Sequence, residues 1–245
     1  KYIHLSSRPI DSMTYLVTGG AGFIGSHLIE KLISNNQIVV LDNMSEGDEE
    51  FIARMQANDN FTFIKGDLRN PEDIPHALEG IDAVFHLAAH RDVRAGAKNP
   101  RKDIDDGILA TYNLLEAMRE AGVKDIVFSS SQTVYGEVSD EPISEDFGPM
   151  MPISIYGASK LSCESLIMAY SHTFEMRSWI FRFANIVGAG GTHGVIPDFI
   201  LKLKKNQNKL EILGDGSQTK PYLEVGDCVG GMLFGFENSS DTVNL

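Results

Sequence analysis

The chain has 245 residues, 42% of them hydrophobic, and a formal net charge of −13. That length and composition allow a sizeable core, in one large α/β domain or in one domain with a small appendage. The acidic balance argues against non-specific binding to nucleic acid or anionic membranes. No apolar run reaches the roughly 18 residues of a membrane span, and the opening KYIHLSSRPIDS lacks an apolar signal-peptide core. A cytoplasmic protein is expected.

Residues 1–12 match nothing that follows and read as a tag or an extension before Met13. From there, short apolar runs alternate with helical patterns. TYLV (14–17), QIVVLD (37–42), FTFIKGD (61–67), DAVFHLA (82–88), DIVFSSS (125–131) and RSWIFRFAN (177–185) read as strands. Most lack polar/apolar alternation, as strands covered on both faces do. IGSHLIEKLISNN, DGILATYNLLEAMREAG and YGASKLSCESLIMAYSHTF carry apolar residues at helical spacing, and Gly122 supplies a helix stop. The alternation predicts a Rossmann-type doubly wound parallel sheet over residues 13–187. After about residue 187 glycines cluster in VGAGGTHG and LGDGSQTKPY around a helix-like IPDFILKLKKN, and residues 188–245 are expected to form a smaller substrate lobe. Cys163 and Cys228 have no metal-ligand partner spacing, so neither a disulfide framework nor a metal site is expected.

TYLVTGGAGFIGSHLIEKL runs strand, glycine turn, helix. Gly20, Gly22 and Gly25 fit G-x-G-x-x-G, while Gly19, Gly22 and Gly25 fit the wider G-x-x-G-x-x-G. Either pattern removes Cβ atoms where a pyrophosphate approaches a helix N-terminus, whose free N–H groups and dipole favour negative charge. The next strand ends in Asp42, 20 residues after Gly22, where a carboxylate accepts hydrogen bonds from the adenosine ribose and repels a 2′-phosphate. NAD is therefore expected over NADP. Asp67 ends the third strand, either beside the adenine or as a surface cap.

Tyr156 and Lys160 stand four residues apart at the start of a helical pattern, so they share a face. They read either as a solvated pair or as a phenol whose pKa is lowered from about 10 by an adjacent ammonium. Ser131 ends a strand and points to the crevice at the carboxyl edge of the sheet, as a turn cap or as a reacting group.

Six ordered motifs, TGGAGFIGSHL, LDN, FHLAA, SSSQTVYG, YGASK and FRFANIVG, resemble the extended short-chain dehydrogenase/reductases, in particular the sugar-nucleotide epimerase/dehydratase group. The resemblance runs from about Met13 to the C-terminus. It implies that Gly19, Gly22, Phe23, Ile24, Gly25, Asp42, Asn43, Ser45, Gly47, Asp67, Leu68, Leu87, Ala88 and Ala89 meet NAD, joined by Tyr156 and Lys160. It further implies a catalytic set of Ser131, Tyr156 and Lys160, with Ser131, Asn185, Leu213 and Lys220 on a nucleotide-sugar substrate of UDP-hexose type. Tyr156 is the implied base for a sugar 4-OH while C4 gives hydride to NAD, and return of hydride to the other face of the 4-keto sugar inverts C4. Dehydratases of the group resemble TDEVYG where this chain has SQTVYG. Gln132 and Thr133 cannot supply that carboxylate chemistry, so the pattern most resembles UDP-glucose 4-epimerases of the short archaeal type. The alternatives are a nucleotide-sugar 4-reductase or dehydrogenase, and a non-catalytic NAD-binding protein on the same fold.

The chain departs from the group's pattern at His90 and Arg91, at Gly107 where an Asn is usual, and at Pro221. No role is assigned to His90. Family members continue past the strand start DTVNL, so the 188–245 lobe is expected to be partial. The resemblance also implies a homodimer formed through two long helices, at about 101–121 and 156–174.

Overall fold

The computed structural model describes residues 12–90, 96, 98–138, 142–192, 194–239 and 243–244. Arg91 and nearly all of the 1–12 segment lie outside the described residues. Five strands follow the predicted runs: β1 (Thr14–Thr18), β2 (Gln37–Asp42), β3 (Phe61–Lys65), β4 (Ala83–His86) and β5 (Asp125–Ser131). The sixth predicted run divides. β6 (Arg177–Phe183) stays in the main sheet, and β7 (Asn185–Val187) pairs in parallel with β8 (Tyr222–Glu224) in a separate two-stranded sheet.

The main sheet is parallel throughout, in the order β3-β2-β1-β4-β5-β6 with β9 (Val243–Asn244) beside β6. The order reverses direction between β1 and β4, which places a crevice at their carboxyl ends, where open α/β sheets bind ligands. Helix α1 (Phe23–Leu32) follows β1 and α2 (Glu49–Met55) follows β2. A short α3 (Pro100–Asp103) runs through a π-helical stretch (Ile104–Leu109) into α4 (Ala110–Ala121). Then come α5 (Ile155–Phe174), α6 (Val195–Lys205) and α7 (Val225–Asn238).

Strand periodicity divides the core between the two sheet faces. Tyr15 and Val17 of β1 point to one side, with Leu28, Ile29, Val40, Phe85, Trp179 and Phe236. Leu16 points to the other, with Leu41, Leu114, Met118, Phe128, Ile167 and Ile180. Helices α1 and α7 cover the first face and α4 and α5 the second. Gly122 ends α4 in the left-handed conformation, φ +76°, with Val123 N–H donating to Met118 O at 3.0 Å, as its sequence position predicts. Helix α6 has no buried residue, and its Val195, Ile196, Ile200, Leu201 and Leu203 are exposed.

Candidate active site

The glycine turn after β1 is shaped by close backbone approaches. Gly19 has φ +70°, and a Cβ there would sit 2.6 Å from the Ala88 nitrogen, two residues past the end of β4. Gly25 packs the first turn of α1 so tightly that its Cβ would lie 2.6 Å from Gly19 O. Gly22 is the N-cap of α1; no side chain caps it and no acidic residue occupies the first turn. The wider Gly19/Gly22/Gly25 pattern is thus the one that lets the turn close backbone against backbone. Gly20 serves packing instead, since its Cβ would meet Val40 at 2.8 Å.

Asp42 ends β2 beside this turn, with Oδ2 accepting from Ala21 N–H at 3.1 Å and Oδ1 from Met44 N–H at 2.8 Å. Asn43 donates to Asp67 Oδ2 at 3.1 Å and accepts from Ser45 N–H at 2.9 Å. Asp48 N–H donates to Ala21 O at 2.9 Å, and Gly47 packs on Ala21 and Met44, which closes the loop onto the turn. The Arg69 guanidinium hydrogen-bonded to Asp67 holds its carboxyl down at about 2. Leu68 is buried, Leu87 and Ala88 are half-buried, and Ala89 is exposed. Phe23 and Ile24 open α1 and are half-buried.

The second cluster forms where β5 meets the start of α5. Ser131 Oγ accepts from Thr133 N–H at 3.2 Å and from the Thr133 hydroxyl at 3.0 Å, which leaves its own hydrogen free to donate. Ser154 caps α5 by accepting from Gly157 N–H at 3.0 Å. A Cβ at Gly157 would lie 2.7 Å from Thr133 O, so only glycine lets the helix begin this close to the Ser131–Thr133 turn. Tyr156 is carried in between.

Lys160, one turn further on, is buried. Its Nζ donates to Ser129 O at 2.6 Å, lies 4.7 Å from the centre of the Phe128 ring and 6.0 Å from that of Tyr156. Burial brings its pKa down to about 8.

One sequence expectation is corrected here. The Tyr156 phenol is not lowered: burial pushes it up to about 12, against a weaker downward pull from the neighbouring Ser131 hydroxyl. The physical reason is that burial of the phenol outweighs the Lys160 ammonium, which sits 6.0 Å from the ring centre and donates to the Ser129 carbonyl, while the Asp103 carboxylate adds an upward push.

Beneath the cluster, neutral His86 joins Thr18 and Thr111 by bonds of 2.7 and 3.0 Å, and burial drives its pKa down to about 3. Behind it, Arg182 and Glu164 form a buried pair, 2.7 Å between Nη2 and Oε2, joined by Ser130 and Tyr135. Neither group stood out in the sequence.

The residues expected on the substrate lie later in the chain. Asn185 lies on β7 and donates from Nδ2 to Pro221 O at 3.0 Å. Leu213 and Lys220 are exposed on the segment between α6 and β8. Asn185 comes two residues after Phe183, which pairs in register with Ser131 across β5 and β6.

The residues fit a dinucleotide: the glycine turn packs backbone against backbone with no room for a Cβ at Gly19 or Gly25, the helix N-terminus is uncapped, and a carboxylate stands at the end of β2. Fold and site together define a dinucleotide-binding α/β protein of the short-chain dehydrogenase/reductase kind.

Residues 15–245 match the model of the NAD dependent epimerase/dehydratase family. The UDP-glucose 4-epimerase of Mycolicibacterium smegmatis is 35% identical over 225 residues, covering 89% of this chain and 71% of that protein. The solved UDP-N-acetylglucosamine 4-epimerase of Methanobrevibacter ruminantium, in complex with UDP-N-acetylmuramic acid, superposes with a TM-score of 0.86 at 31% identity, covering 96% of this chain and 76% of that one. The Thermus thermophilus UDP-glucose 4-epimerase in complex with NAD gives 0.82 at 30% identity, with 95% and 77% covered. The chain belongs to the NAD-dependent epimerase/dehydratase family.

Proposed function

We infer that the protein inverts C4 of a nucleotide sugar of the UDP-glucose/UDP-galactose type, and that it keeps its NAD bound through the reaction. The observation that carries this reading is the Thr133 hydroxyl bonded to Ser131 at 3.0 Å, at the position where dehydratases of this pattern keep a carboxylate. With Gln132 and Thr133 there, no acid/base pair serves elimination, and the chemistry stops at oxidation and return of hydride.

NAD, when bound, supplies reversible hydride uptake at the sugar C4. The chain supplies the rest. Gly19, Gly22 and Gly25 with the α1 N-terminus hold the pyrophosphate, and Asp42 holds the adenosine ribose. Tyr156 takes the proton of the 4-OH and later gives it back, a role for which a high-pKa phenol suits the return step. Ser131 donates its free hydrogen to the reacting oxygen, and Thr133 orients Ser131. Lys160 holds the nicotinamide ribose and stabilises the phenolate. Asn185, Leu213 and Lys220 serve the nucleotide diphosphate.

In this reading residues 13–187 form the cofactor domain, to which α7 and β9 return to complete the main sheet and its core, and the intervening residues from 188, with the separate β7–β8 sheet, contribute to the substrate lobe. The protein works in the cytoplasm, in keeping with the absence, among the described residues, of any helix long and apolar enough to cross a membrane. It is a homodimer, supported by Ile104, Leu109 and Tyr112 around the start of α4 and Ile155 and Met168 on α5, which are all exposed. The test of the chemistry is UDP-galactose deuterated at C4. Returned hydride leaves the label on C4 of the product, whereas wash-out of deuterium into solvent would refute the reading.

A further inference from the structure

His90 and Asp103 form a buried pair that the mechanism above does not use. Their side chains are 3% and 1% exposed, and His90 Nδ1 lies 3.0 Å from Asp103 Oδ1. The other carboxylate oxygen, Oδ2, is buried without a hydrogen-bond partner. A buried unpaired carboxylate oxygen is costly, so it calls for an explanation. Space for it is kept by Gly96, where a Cβ would fall 2.1 Å from Oδ2.

The pair also has a telling position. His90 follows β4 and Asp103 closes α3, immediately before the π-helical turn, a feature frequent at functional sites. Both line the same small cavity of about 10 Å³ as Tyr156 and Lys160, room for about one water.

We propose that the His90–Asp103 pair is a charge element of the active site, in which Asp103 places its negative charge against Tyr156 and so sets the strength of the base, with His90 holding Asp103 in place. This rests on Tyr156 being the base of the reaction proposed above. His90 and Asp103 are positioning residues that act through the phenol.

Electrostatics agree with the geometry, since Asp103 pushes the phenol upward. The other titratable groups around Tyr156 leave this role open. Lys160 faces it from α5 but donates to Ser129. Cys163 adds an upward push on the phenol after that of Asp103, but burial also raises its own titration, and Glu164 is committed to Arg182. His86, from β4, stays neutral down to about 3. Asp106, on the π-helical turn, is raised by burial.

A strong phenolate base has a consequence for a reaction with no net proton change. The phenol that accepts the 4-OH proton must keep it until hydride returns. A nearby carboxylate favours the protonated phenol during that interval and limits leakage of the proton to solvent.

The test is a direct titration of Tyr156 in the full chain without substrate. Tyrosinate absorbance is followed by stopped-flow pH jump, ahead of alkaline unfolding, and the Tyr156→Phe trace is subtracted. Asp103→Asn removes the charge at nearly constant shape and is expected to lower the Tyr156 titration by about one pH unit. If that variant fails to fold, the double variant His90→Gln/Asp103→Asn keeps an amide donor facing an amide acceptor and is expected to give the same downward shift. A folded variant whose Tyr156 titrates with the wild type overturns the proposal, because a purely structural pair would affect stability alone. Since the readout needs no turnover, a shifted titration in a protein that fails to epimerise would support the pair's role and refute the proposed reaction instead.

Discussion

Lys160→Met is the most informative single change, because the structure fixes both the size and the pH dependence of its effect. The ammonium lies 6.0 Å from the centre of the Tyr156 ring. At the effective dielectric constant of about 20 that suits protein charges, a unit charge at that distance stabilises a phenolate by about 2.8 kcal/mol. That corresponds to about two pH units, or about a hundredfold in the phenolate fraction near neutral pH. Methionine fills a similar volume without charge. With NAD saturating, kcat for C4 inversion is therefore expected to fall about a hundredfold near pH 7. The wild-type advantage must shrink as pH rises through about 8, where Lys160 itself loses its proton. The assay is a kcat–pH profile of both proteins, read by NMR. A Lys160→Met enzyme with wild-type kcat at neutral pH, or a deficit that stays constant across the alkaline range, would refute the reasoning.

Three further outcomes follow from the same geometry. Glu164→Gln strips the charge partner from Arg182, whose side chain is 4% exposed, and is expected to cost about 3–5 kcal/mol in urea unfolding; a loss below about 1 kcal/mol would show that the pair is not effectively buried. His86, held down from 6.5 to about 3, makes the unfolded chain bind a proton that the folded chain refuses, so stability falls as pH drops through that window. Between pH 7 and pH 5 the loss from this group is about 2 kcal/mol, and His86→Gln should flatten the acid slope of a urea series by about that amount. Gly19→Ala forces a Cβ to 2.6 Å from the Ala88 nitrogen at φ +70°. It is expected to yield protein purified without NAD and destabilised by about 1–3 kcal/mol or more, read by cofactor content and thermal melting.

The sheet was legible because its strands are buried on both faces: uninterrupted runs such as QIVVLD and DIVFSSS have no polar alternation to confuse them. The glycine turn was legible because its spacing encodes a steric requirement. What escaped is set by distant partners. Nothing local in LSCESL or FRFAN shows that Arg182 meets Glu164 of another element, and no spacing rule joins His90 to Asp103 across thirteen residues. Helix α7 was missed because Gly226, Gly230, Gly231 and Gly235 depress helix propensity in VGDCVGGMLFGFEN. Its formation rests on packing Val229, Met232 and Phe236 into the core. The split of FRFAN between β6 and β7 is likewise tertiary, since β7 pairs with β8, which lies far along the chain beyond α6. The direction of the Tyr156 shift was misjudged because sequence spacing gives the distance from Lys160 and says nothing of how deeply the phenol is buried.

The most direct test of the account is NMR of UDP-galactose with the purified protein and no added NAD, beside Tyr156→Phe. The account predicts UDP-glucose from the wild type, no free reduced cofactor, and conversion lost in the variant. A folded, NAD-loaded wild type that leaves UDP-galactose unchanged, or a Tyr156→Phe protein that converts it at the wild-type rate, would contradict it.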